Sequence, residues 1–179
     1  MENYKERYPV GEFEKPTEIT GQCLSEWIWE IELFPGKLKQ EVETLNGQQL
    51  NINYREGGWT IRQLVHHCAD SHSNALIRFK LALTEKEPVI KPYFEARWAE
   101  LPDSREIPVN VSLQILEGLH TRWVYLLRKL TVADWRKFYF HPEFEDKKFM
   151  LDEATGLYAW HCRHHLAHIT NLKKSKGWK

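Results

Sequence analysis

Apolar residues recur every three to four positions along four separate stretches of this chain, and that periodicity confines it to an all-α architecture. The first stripe runs Thr20, Leu24, Trp27, Ile31, Phe34, Leu38, Val42 and Leu45. Pro35-Gly36 interrupts it, yet the apolar phase survives across the pair. One kinked helix is therefore expected from about Ile19 to the Gly47 region. The second stripe is announced by the Gly57-Gly58 loop and by Thr60 with Gln63 three residues later, the pattern of a capping box. It continues Ile61, Leu64, Val65, Cys68, His72, Ala75, Leu76, Phe79 and Leu83. Ser112 is expected to cap the third helix, with stripe Leu113, Leu116, His120, Trp123, Leu127 and Leu130. Asp152 is expected to cap the last, which runs to about Lys174. There Lys173, Lys174 and Lys176 suit the C-terminal end of the helix dipole, and Gly177 follows as a stop. Four amphipathic helices pack most simply as a four-helix bundle, and 179 residues fit one domain, 1–179, with a full core.

Three segments fall outside the stripes. Met1 to Pro16, with Pro9, Gly11 and Pro16, reads as an extended N-terminal arm. Glu87 to Pro108 is a long connection containing four prolines, and its Tyr93, Phe94 and Trp98 predict that it covers an apolar surface. Between Lys137 and Leu151, apolar Phe138, Phe140, Phe149 and Leu151 flank a charged turn, which predicts a small hairpin or irregular excursion before the last helix.

Bulk properties exclude several functions. Lys+Arg and Asp+Glu number 25 each, so no net field draws the chain to nucleic acid or to an anionic membrane. No apolar run approaches the roughly 20 residues that span a bilayer, and Met1 to Lys15 lacks the apolar centre of a signal peptide. Cys23, Cys68 and Cys162 are odd in number and widely spaced, unlike a disulfide framework. A cytoplasmic, reducing location is expected.

The nine histidines are informative because they cluster: His66, His67 and His72, then His161, His164, His165 and His168. On a wheel advancing about 100° per residue, Ala154, Tyr158, His161, His165, His168 and Leu172 share one narrow face, while His164 lies to one side. Imidazoles sent into a core are costly unless their nitrogens are satisfied. A metal ion would satisfy them, and the spacing of His161 and His165 is the one by which a single helix offers two ligands to one ion. The alternative is a set of core histidines bonded to neighbours or water. A third ligand would come from the second helix, where periodicity does not choose among His66, His67 and His72. His120 faces the core as well. It reads as a satisfied core histidine or as a partner bonded to a ligand. His141, Arg78 and Lys80 read as surface residues, Trp59 as a packing residue, and Cys162 as pointing away from the site.

Three pieces together resemble the DinB/YfiT family of metal-dependent proteins, its YfiT branch most closely. They are Gly57-Gly58-Trp59-Thr60-Ile61-Arg62-Gln63, His66-His67-Cys68-Ala69-Asp70-Ser71-His72, and His161 with His164-His165-Leu166-Ala167-His168-Ile169. The resemblance implies an up-down-up-down four-helix bundle and one divalent metal held by His67, His161 and His165. Cys68 stands where the family more often has a larger apolar residue. The resemblance also implies a homodimer and two candidate activities. One is a thiol S-transferase with a bacillithiol-type cosubstrate and an electrophile. The other is a metal-dependent hydrolase acting on a small substrate through water, for which Asp70 and His168 are the local candidates for a general base. Three imidazoles suit zinc, nickel, copper or iron; zinc is favoured because neither activity needs a redox step. A non-catalytic metal-binding bundle is the third expectation, and a closed coordination sphere would mark it.

Overall fold

The computed structural model describes residues 4–178. The chain runs α1 (Tyr4–Arg7), α2 (Gly21–Val42), α3 (Gly47–Leu50), α4 (Ile61–Thr84), α5 (Glu95–Trp98), α6 (Pro102–Arg105), α7 (Asn110–Leu127), α8 (Val132–Trp135), β1 (Phe138–Phe140), β2 (Lys148–Met150) and α9 (Leu151–Lys176). The four long helices, α2, α4, α7 and α9, are those the stripes predict, and α2 continues through Pro35. Their apolar faces meet in one core around Phe34, Leu64, Phe79, Leu116, Trp123 and Ile169.

Helix ends follow local chemistry. The hydroxyl of Thr60 accepts from the Gln63 amide while the Gln63 side chain accepts from the Thr60 amide, so both orphan donors are satisfied. Thr60→Ala is expected to cost about 1 kcal/mol, read as a lower denaturation midpoint at unchanged m-value. Gly177 ends α9 in the left-handed region at φ 66°, where a side chain would be strained. Two expected caps are corrected. Helix α7 begins two residues before Ser112, and Ser112 Oγ bonds His66 instead. Asp152 sits inside the first turn of α9, where its charge suits the dipole, and Met150 precedes the helix without a side-chain cap.

Helix directions correct the expected alternation. Trp27 lies against Gly156, Arg163 pairs with Glu30, and Lys173 Nζ reaches Glu41 Oε2 at 2.8 Å, so α2 and α9 run parallel. His66 bonds Ser112, His72 bonds His120 and Phe79 packs on Trp123, so α4 and α7 are also parallel. Arg78 with Tyr158 and His72 with His161 show α4 and α9 antiparallel. The bundle thus runs up, down, down, up. The cause is the long connection. Parallel neighbours require a return along the whole bundle, and the 24 residues of α4 span about 36 Å. Residues 85–109 make that return, so they are a crossover before they are a cover. Phe94 accordingly stays 68% exposed, although Tyr93 is half-buried.

The hairpin is present, pairing Phe138 with Met150 and Tyr139 with Phe149, and Val89 of the crossover bridges to Phe140. The arm contains the helical turn α1, with Met1 to Tyr4's predecessors outside the described residues. Trp160 Nε1 donates to the Gly11 carbonyl at 2.9 Å, which lays the arm along α9.

Candidate metal centre

His67 from α4 and His161 and His165 from α9 converge, each offering a ring nitrogen within 4.8 Å of the other two. The packing of α4 antiparallel to α9 brings them together. The three second-helix candidates differ in the neighbours of each ring. His66 turns toward Ser112 Oγ (2.7 Å) and the Ile107 carbonyl, and His72 turns toward His120 and His161. His67 faces His165 and His161, with ring centroids 5.0 and 5.5 Å away.

The nitrogens fit a divalent ion. His161 Nε2 and His165 Nε2 stand 3.1 Å apart. Two ligands about 2.05 Å from a tetrahedral zinc lie about 3.3 Å apart. His165 Nδ1 is buried without a protein partner. Burial pushes His67 down to about 4 and holds His161 and His165 well below the usual imidazole range, so the rings are neutral near pH 7 and able to ligate. The donor set is three imidazoles with no carboxylate, which leaves an ion its full charge and open positions.

Two cavities open on this cluster. One, of about 430 Å³, is lined by His67, His165, Trp59, Tyr54, Tyr8, His164 and His168. The other, of about 530 Å³, is lined by Ser71, Arg78, Tyr93, His141 and Tyr158. His161 and Glu95 line both. Glu95 is the only carboxylate among the described residues lining the first cavity; it is exposed at the cavity wall, and partial desolvation together with Glu143 raises its pKa. Sequence reasoning missed Glu95, because a carboxylate on a connection carries no periodic signal. Asp70 does not line either cavity; it is half-buried on α4 and pushed up to about 6 by burial and by Asp103. His168 does line the first cavity, where its ring lies 4.2 Å from Tyr54, but burial pushes it down to about 3, which makes it a weak base.

Two outward-facing readings, of His164 and Arg78, are corrected. His164 is buried, stacked on Trp160 at 4.7 Å and near Tyr8, because the arm covers a face that a helix wheel counts as outer. Arg78 is half-buried and donates to Tyr158 OH at 3.2 Å. Trp59 lies 4.6 Å from the His67 ring and walls the cavity. Burial holds the Cys162 thiol well above its ordinary range, so it is no nucleophile.

Comparison with known proteins bears on the family and the fold. The model of the DinB superfamily matches residues 30–169. A protein of Bacillus cereus (strain 03BB102) is 55% identical over 172 residues, covering 96% of this chain and 98% of its own. A protein of Bacillus thuringiensis subsp. konkukian (strain 97-27) matches at the same identity and coverage. Both carry the name "putative metal-dependent hydrolase". The solved structure of YfiT from Bacillus subtilis is described as a probable metal-dependent hydrolase with an unusual four-helix bundle topology. It superposes with a TM-score of 0.94 at 46% identity, covering 98% of this chain and 99% of that one. No helix among the described residues is long and apolar enough to cross a membrane.

Proposed function

This chain belongs to the DinB superfamily and is a metal-dependent enzyme, and we propose that it is a zinc-dependent thiol S-transferase whose ion is held by His67, His161 and His165. The observation that carries the reading is the pair of cavities sharing His161 and Glu95. Two chambers that meet at one cluster suit two substrates, a small thiol of the bacillithiol class and an electrophile. Bound there, the ion supplies Lewis acidity that lowers the pKa of a thiol or a water at the site. Trp59 and Tyr54 wall the first chamber with aromatic surface, and Arg78 and Tyr158 place donors in the second. Glu95 takes the thiol proton on a carboxylate oxygen, helped by its raised pKa, and the sulfur then displaces the leaving group of the electrophile.

Hydrolysis is the second reading, favoured by the names that the relatives carry. It uses the same carboxylate to accept a proton from water. The deciding experiment incubates zinc-loaded protein with bacillithiol plus an electrophile, and separately with ester and amide panels, each with and without a chelator. Conjugation that needs both metal and thiol supports the transferase. Metal-dependent cleavage without thiol replaces it with the hydrolase, and bound zinc with neither activity rejects both. Glu95→Gln is expected to lower turnover about 100-fold or more while zinc content, read by elemental analysis, stays at the wild-type level.

A further inference from the structure

Beside the metal cluster runs a single file of hydrogen bonds that crosses the whole bundle. His120 Nδ1 lies 2.6 Å from the Ile31 carbonyl oxygen. His120 Nε2 lies 2.8 Å from His72 Nδ1, and His72 Nε2 lies 3.0 Å from His161 Nδ1. One link comes from each long helix: Ile31 on α2, His120 on α7, His72 on α4 and His161 on α9.

The order of protons along this file follows from its end. A carbonyl oxygen only accepts, so His120 Nδ1 carries a proton. A neutral imidazole has one N–H, so His120 Nε2 is bare and accepts from His72 Nδ1–H. By the same rule His72 Nε2 is bare and accepts from His161 Nδ1–H. The nitrogen left without a proton is His161 Nε2, which faces His165 Nε2 across the cluster. The premise of neutrality rests on the surroundings. His72 and His120 are 0% and 2% exposed, packed on Phe34 and Trp123. Among the described residues the hydrogen bonds of His72 and His120 run only to each other, to Ile31 and to His161, never to a carboxylate. Adjacent buried cations without a counter-charge would be prohibitive.

We propose that Ile31, His120 and His72 are positioning groups for the metal centre: they fix His161 in the Nδ1–H tautomer and hold its Nε2 lone pair toward the ion. Sequence spacing left His120 open as a partner bonded to a ligand but could not show that it acts through His72, because the file draws on four different helices. The inference rests on the reading of His161 as a ligand, but the proton order itself is present without an ion.

Long-range proton–nitrogen correlation spectra of the metal-free, full-length protein with isotope-labelled histidine read the tautomers directly. Nδ1–H is expected at His120, His72 and His161 alike, and Nε2–H at His161 overturns the proposal. His120→Phe keeps a ring but leaves His72 Nδ1–H without an acceptor. Chelator competition is then expected to show zinc bound about 10- to 100-fold more weakly, with His161 spread over both tautomers. His120→Gln, whose amide can donate to Ile31 and accept from His72, is expected to restore most of the affinity, an outcome that packing alone does not produce. Unchanged zinc affinity in a folded His120→Phe overturns the positioning role. If that variant does not fold, the wild-type tautomers and His120→Gln decide. A wild-type chain with the expected tautomers that binds no zinc sinks the functional reading and this inference together, whereas Nε2–H at His161 sinks this inference alone.

Discussion

His165→Ala is expected to give a folded chain that holds no zinc and turns nothing over. The substitution removes one of three nitrogens that converge within 4.8 Å, and with it the ring whose Nδ1 is buried without a protein partner. Loss of a residue that merely orients a ligand already costs about 10- to 100-fold in metal affinity, so loss of a ligand is expected to exceed 100-fold. The helix tolerates the change, since alanine is the strongest helix former and His165 caps nothing. Zinc at about 100 times its Kd stabilises a folded protein by about 2.7 kcal/mol. Thermal melts with and without zinc therefore separate the two proteins: the wild type gains several degrees on metal addition and the variant gains none. Elemental analysis of the dialysed proteins gives the same contrast in bound metal. Full zinc content in the variant would move the centre to other nitrogens, the His164 and His168 pair at 3.1 Å being nearest at hand.

What could be read from residue order is what depends on local repetition. The four stripes located α2, α4, α7 and α9, and Thr60 with Gln63 marked the start of α4, because a helix presents its face every three to four residues whatever surrounds it. The inward face of α9 placed His161 and His165 on one line for the same reason. Pairing between helices has no such local signal. Parallel packing of α4 on α7 depends on how far residues 85–109 travel, which composition does not disclose. His164 escaped the wheel because its cover comes from Tyr8, distant in sequence. Ser112 looked like a cap and serves His66 instead, since a hydroxyl near a helix start has two uses and only the tertiary partner selects one.

Metal-free protein is expected to unfold steeply as pH falls from about 6.5 toward 4, because so many of its histidines are buried neutral. Burial pushes His67 and His120 from 6.5 down to about 4, and holds His72, His161 and His165 well below the ordinary imidazole value as well. The sign follows from proton counting. Below pH 6.5 the unfolded chain protonates these rings while the folded chain does not, so acid favours unfolding. The stability they confer is fully present above 6.5 and is lost as pH falls through the folded values. His67 and His120 alone give a slope of about 2.7 kcal/mol per pH unit in that window, since each contributes about 1.36. A domain of ordinary stability has about 5–15 kcal/mol in total. Urea melts of the chelator-treated protein at half-unit pH steps are expected to show the midpoint collapsing near pH 5 while remaining flat between about pH 7 and 8, below the range in which thiols of the unfolded chain ionise. Replacing His120 by Phe should shallow the slope by about 1.4 kcal/mol per unit, since one titrating ring is gone. Zinc should move the collapse to lower pH, because an ion held by neutral imidazoles opposes their protonation. A midpoint indifferent to pH between 4 and 7 would mean that these rings already carry protons in the folded state, and a site of neutral ligands could not then be sustained.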